Sequence, residues 1–234
     1  KLRRASSPLA SVPLRGMAAA LGAALLFGLG TPAAKLLVPN AEPLMLGSVL
    51  YLGAGLGLSL LRVTGRKQSE EASLRSADLP LLLGITGAGA VFAPVLLLIG
   101  LRRVSAVTGS LALNLEGPLT VVLAMLFFGE HLSSRTAVGT FLIMLGAAIL
   151  GFTPGAALGG DALGVLCIAG ACLAWALDNN LTSRLSLRDP IAIVQTKGLV
   201  GGAFSLGLAF LVGNEVPPVG ALAGGLLLGL VSYG

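Results

Sequence analysis

Apolar residues run along this chain in long blocks and not in alternation. Mostly apolar stretches cover Met17–Val38, Leu44–Leu61, Leu79–Leu101, Val104–Phe128, Thr136–Thr153, Ala162–Ser183, Pro190–Val212 and Val219–Gly234. A helix crossing the hydrocarbon core of a bilayer needs about 20 such residues. Transmembrane barrel strands are about 10 residues long with alternating polarity, so blocks of this length predict helices. The connectors are short and polar or rich in Pro and Gly, as in Val38-Pro39-Asn40-Ala41-Glu42-Pro43. The expected fold is all-α, a polytopic transmembrane helical bundle with eight spans in 234 residues.

Composition narrows the class further. The chain is 55% hydrophobic and 11% charged, with 34 glycines, whereas an ordinary soluble domain carries about 25% charged residues and about 7% Gly. So little charge cannot cover a surface for water, which excludes a soluble globular enzyme. Collagen-like, disulfide-rich and disordered chains are excluded as well, because their periods, cysteines or high net charge are missing. Cys167 and Cys172 lie on one expected helix, about 140° apart around its axis, and cannot bridge each other.

The net charge of +5 reflects topology. With the amino terminus in the cytoplasm, eleven Lys and Arg fall on the cytoplasmic side: Lys1, Arg3, Arg4, Arg15, Arg62, Arg66, Lys67, Arg75, Arg135, Arg184 and Arg188. Only Arg102 and Arg103 lie opposite, and Lys35 and Lys197 are inside spans. This positive-inside bias predicts a cytoplasmic amino terminus in a cell (inner) membrane and no nucleic-acid partner. Basic residues ahead of the first span and the small Pro32-Ala33-Ala34 resemble a signal peptide. The apolar core of a signal is only about 7–15 residues, however, so the segment reads as the first span.

The chain also repeats itself. Leu26-Phe27-Gly28-Leu29-Gly30-Thr31-Pro32 lies over Ala174-Trp175-Ala176-Leu177-Asp178-Asn179-Asn180, Glu42-Pro43 over Asp189-Pro190, and Leu82-Leu83-Gly84 over Leu227-Leu228-Gly229, at offsets of 148, 147 and 145. Five spans separate the copies, an odd number, so the second copy enters from the opposite side. The expectation is a 5+5 inverted repeat, residues 17–153 forming the first unit and 161–234 a second unit that stops in its third helix. On that reading roughly 60 residues of a ten-span design lie beyond this sequence.

These features resemble the drug/metabolite transporter superfamily, specifically its EamA-type members. The resemblance rests on Leu26-Phe27-Gly28 with Lys35, Leu101-Arg102-Arg103-Val104-Ser105, Glu116-Gly117-Pro118-Leu119-Thr120, Phe128-Gly129-Glu130-His131-Leu132, and Gly139 with Gly146. Many members carry an Arg beside an aromatic residue in span 2, where this chain reads Gly47-Ser48-Val49-Leu50-Tyr51. The resemblance implies a transporter that exports small metabolites or drugs, and it keeps Lys35 in view as a lining residue.

Ionisable residues within spans are costly and mark function by default. Four occur: Lys35, Glu116, Asp178 and Lys197. Glu116 lies midway along its span, on a polar line of Ser105, Thr108, Glu116 and Thr120 that follows steps of three and four with Ala112 filling the gap. Pro118 frees the carbonyl of Asn114 and favours a kink beside the carboxylate. Glu116 is therefore expected to contact a cationic substrate or to act as a protonation switch, the alternative being a packing hydrogen bond between helices. Thr108, Thr120, Asn114 and Trp175 are candidate companions, with packing as the alternative for Trp175.

Asp178 and Lys197 enter from the same side to depths of about 9 and 12 Å, and pairing would lower the cost of each charge. The expectation is an Asp178–Lys197 clamp or inner gate, with Asn179, Asn180 and Gln195 supplying hydrogen bonds nearby. Lys35, near the outer end of its span, is expected to snorkel to the headgroups. His131 has no Cys or acidic spacing for a metal site, and Ser133 or Ser134 is expected to cap the following helix. Glycine pairs at spacing four, Gly53/Gly57, Gly198/Gly202 and Gly225/Gly229, predict close helix packing.

No P-loop occurs, which leaves a secondary transporter working by alternating access. Its expected partners are the lipid bilayer and a small-molecule substrate, and the reading admits protons and a homodimeric partner. No cofactor is expected. The rival readings are a membrane receptor or scaffold without transport, and an intramembrane enzyme. Neither Gly-x-Ser-x-Gly nor His-Glu-x-x-His is present to favour the enzyme.

Overall fold

A computed structural model describes residues 14–63, 71–129, 131–152 and 162–233. The backbone of each apolar block is helical: α1 (Leu14–Leu37), α2 (Pro43–Val63), α3 (Ser76–Arg103), α4 (Ala106–Phe128), α5 (Ser134–Phe152), α6 (Ala162–Ser183), α7 (Pro190–Leu211) and α8 (Val219–Tyr233). Six of these are long and apolar enough to cross a membrane, and α5 and α8 contribute shorter apolar stretches. In hydrocarbon, backbone groups must be bonded within the segment, and a helix does this for every apolar block. Among the described residues there is no strand, only a single bridge between Ala72 and Arg188.

The ends of the helices follow their caps. Instead of starting at Val104, α4 starts at Ala106, because Ser105 takes an extended backbone and its Oγ accepts the Thr108 N–H at 3.1 Å. Ser133 caps α5 in the same way, accepting from Thr136 N at 3.2 Å, so α5 begins two residues before the expected Thr136. At the other end of α4, Gly129 takes φ +64°, a left-handed stop that glycine adopts without a Cβ penalty. Residues 153 and 161 and Gly234, which bound the expected repeats, and Glu130 of the Phe128-Gly129-Glu130-His131-Leu132 motif lie outside the described residues.

Helix α2 is the hub. It packs on α3, α7 and α8, while α6 packs on α3 and α4. Glycines permit this crowding: a Cβ on Gly198 would lie 2.5 Å from Gly55 N, and one on Gly55 would lie 2.6 Å from Leu199 N. The expected pairs Gly53/Gly57 and Gly225/Gly229 also fall where α2 and α8 touch. The core between these helices includes Leu46, Leu50, Leu97, Leu98, Ile168, Cys172 and Trp175, all buried. Large apolar side chains such as Leu25, Leu29, Phe127 and Phe141 are exposed on the outside, as a lipid-facing surface requires. Cys167 and Cys172 are both free thiols.

Two helices widen beyond α geometry beside the Asp178–Lys197 pair. α3 widens into a π-helical stretch over Thr86–Phe92 and α7 over Lys197–Gly201, and these two stretches touch. A third π-helical stretch ends α8, Gly229–Tyr233. Such insertions are frequent at functional sites.

Candidate functional site

The helix that carries Glu116 is broken just before it. The α-helical part of α4 stops at Ala112, passes through a 3-10 turn over Leu113–Leu115, and resumes at Glu116. Pro118 explains the break, since it has no N–H to donate to the Asn114 carbonyl four residues earlier. The break presents Glu116 to α6, where Asn179 Nδ2 donates to Glu116 Oε1 at 2.8 Å. Thr120 lies one turn further on; its hydroxyl donates to the Glu116 carbonyl at 2.8 Å, and its own carbonyl accepts from Asn180 Nδ2 at 3.0 Å. Among the described residues no salt bridge reaches Glu116.

Asp178 and Lys197 meet as the depth argument expects. Lys197 Nζ donates to Asp178 Oδ2 at 2.5 Å, with the two side chains only 15% and 4% exposed. Thr182 Oγ1 donates to the other carboxylate oxygen at 3.1 Å. Gly89, in the π-helical stretch of α3, lies so close that any side chain there would collide with the Asp178 carboxylate.

The three amides expected around this pair bond elsewhere. Asn179 serves Glu116, Asn180 bonds the Thr120 and Ala176 carbonyls, and Gln195 donates to Ser59 Oγ at 2.8 Å while accepting from Arg62 Nη1 at 3.0 Å. Helical geometry is the reason. Successive residues point about 100° apart, so Asp178, Asn179 and Asn180 face different neighbours, and Gln195 lies on the far side of α7 from Lys197.

Other expected companions are not brought to Glu116. Thr108 is engaged with Ser105 at the start of α4, its hydroxyl 3.0 Å from Ser105 Oγ. Asn114 is exposed and turns back onto its own helix, donating to Leu111 O at 3.1 Å. Trp175 is packed in the core, its Nε1 donating to Gly89 O at 3.0 Å. Lys35 Nζ donates to Leu101 O, in the last turn of α3, where the final carbonyls lack intrahelical partners and attract a cation.

Sequence reasoning did not single out Tyr51, Gly89, Ser59, Asp78 or the network around Asp189. Tyr51 donates its hydroxyl to Gly89 O, which also receives Trp175, making one carbonyl the shared acceptor of two aromatic donors. Asp189 caps α7 through Ile191 N and Ala192 N and is ion-paired with Arg62. Arg188 bonds Asp78 at 2.8 Å. The only available signal for these was a polar residue at or inside a span boundary, which does not name a partner. At the opposite end of the bundle Arg102 bonds Glu42 at 3.0 Å, with both side chains well exposed.

A membrane-spanning helical bundle holding a buried ion pair beside an acid that makes no salt bridge among the described residues defines a polytopic integral membrane protein. The model of the EamA-like transporter family matches residues 14–152. The chain belongs to the EamA-like transporter family, within the drug/metabolite transporter superfamily. An uncharacterized transporter of Methanothermobacter thermautotrophicus is 32% identical over 225 residues, covering 87% of this chain and 64% of that protein. The chain thus spans 64% of the length of this relative. A crystal structure of another protein superposes with a TM-score of 0.64 at 19% identity, covering 91% of this chain and 76% of that one, which shows a shared fold.

Proposed function

We propose that the whole protein is a secondary transporter that exports small metabolites or drugs by alternating access, with Glu116 as the residue that binds substrate or coupling protons. The observation that carries this reading is the setting of Glu116. It sits mid-span at a helix break, facing α6, with a neutral Asn179 as its hydrogen-bond donor and no salt bridge among the described residues. A carboxylate in a membrane interior without a bonded cation is costly, and a cationic substrate or a proton lowers that cost. The Asp178–Lys197 pair serves as a clamp between α6 and α7 that keeps its own charges neutralised while Glu116 changes state.

Inverted halves fit this mechanism. Glu42-Pro43 and Asp189-Pro190 each begin a helix at matched positions, and each carboxylate is ion-paired with an arginine. The π-helical stretches of α3 and α8 begin near the matched Gly84 and Gly229. The charge bias of the loops supports an amino terminus in the cytoplasm of a cell with an inner membrane. The test is uptake into proteoliposomes by the full-length protein with a panel of metabolites, comparing it with Glu116→Gln. Loss of flux in the variant is expected; normal flux would remove Glu116 from the mechanism, and no flux for any solute would favour a scaffold.

A further inference from the structure

A cavity of about 350 Å³ opens among α4, α6 and the connector into α5. Its polar wall is built by Thr120, His131, Thr136, Asn179, Asn180 and Ser183. These residues run from the end of the bundle, where His131 and Ser183 lie, inward to Asn179, whose amide donates to Glu116 at 2.8 Å. Thr120, Thr136, Asn179, Asn180 and Ser183 each bond within the protein, and their remaining lone pairs and N–H groups line a polar wall that water can bond. A volume of this size with several polar partners holds several waters.

We infer that this cavity is a water-filled side passage through which protons reach Glu116 from the end of the bundle bearing His131. The inference rests on the reading that Glu116 gains and loses a proton. The passage ends at the partner of Glu116, so that carboxylate communicates with a single compartment along this route. The proton comes from a hydronium in the passage, which leaves as water. It is accepted by Glu116 Oε2, the oxygen not held by Asn179. The titratable groups facing Glu116 from the helices packed around it are Asp178 and Cys172 on α6, Lys197 on α7 and Tyr51 on α2. Of these, Asp178 and Lys197 are already paired with each other, which leaves Glu116 as the acid presented to the passage.

Thiol chemistry tests the passage apart from transport, because a cysteine reacts as its thiolate and needs water. In the full-length protein with Cys167 and Cys172 replaced by Ala, Val121→Cys places a thiol on the cavity wall, and Val122→Cys places one on the exposed apolar face beside it. A charged, membrane-impermeant methanethiosulfonate added from the His131 end should modify Val121→Cys at least about tenfold faster than Val122→Cys. Ala124→Leu, which fills the cavity, should slow both that modification and proton-driven flux. Ser183→Leu at the mouth is a second plug if Ala124→Leu does not yield a monodisperse protein.

A Val121→Cys thiol that is unreactive, or reactive only from the opposite end, would overturn the passage. So would plugs that leave both labelling and proton-driven flux unchanged. Rapid labelling together with full transport by Glu116→Gln would leave a wet cavity but remove its role in proton delivery, and would overturn the functional reading of Glu116 on its own.

Discussion

Lys197 on α7 holds Asp178 on α6 at 2.5 Å, and the next residue of α6, Asn179, holds Glu116 on α4 at 2.8 Å. One turn of α6 thereby joins the ion pair to Glu116, through side chains that point about 100° apart.

Removing one member of the ion pair strands the other in a buried site. Lys197→Met or Asp178→Leu alone should destabilise the protein by about 3–5 kcal/mol, because an uncompensated charge or an unfilled hydrogen-bonding position remains. The double variant should recover much of that loss, since well-packed apolar replacements of a buried pair are often neutral. Thermal unfolding in detergent micelles checks this, and a double variant less stable than either single one would contradict it.

Asn179 is exposed toward the cavity and makes one hydrogen bond to Glu116, so its contribution to stability is small, about 0.5–1.5 kcal/mol. Its effect on function should be larger. Asn179→Leu should reduce flux while leaving the melting temperature nearly unchanged, and Asn179→Gln should restore part of the flux. Equal loss in both variants would argue against a positioning role.

Close backbone contact between α2 and α7 makes two glycines intolerant. Gly198→Val or Gly55→Val should cost at least about 1–3 kcal/mol through overpacking, because each Cβ would meet backbone within 2.6 Å. Gly28→Ala has nothing within 4 Å of the added carbon and should be tolerated. Detergent melting curves of the three variants give the ranking.

The Arg102–Glu42 pair is exposed, at 36% and 54% for its side chains. Exposed pairs contribute about 0–1 kcal/mol and are screened by salt. Arg102→Ala should therefore change stability far less than Lys197→Met, and raising the salt concentration should erase even that difference. A loss comparable to that of Lys197→Met would indicate a role beyond the pair.

How much was legible in the sequence follows the kind of interaction. The eight helices could be read from the apolar blocks, and the Asp178–Lys197 pair from depth and charge alone, because both are consequences of excluding unpaired polar groups from hydrocarbon. The break beside Glu116 was readable from Pro118. The amides Asn179, Asn180 and Gln195 could be placed near the pair but not assigned to partners. Thr108 looked like part of a polar line, yet the extended backbone of Ser105 turned it into a capping partner. Lys35 could be placed near the outer end of its span, and only the tertiary structure showed that it bonds the Leu101 carbonyl at the end of α3.

The sequence by itself determined where the chain enters and leaves the apolar phase and which few charges are taken inside, because hydropathy and span length are properties of one helix at a time. Tertiary structure decided which groups meet. Asn179 faces Glu116, Gly89 lies against Asp178 and Tyr51 shares a carbonyl with Trp175. These meetings depend on the rotation and register of each helix against its neighbours. Glycine contacts and π-helical turns set both, by bringing together residues far apart in the chain.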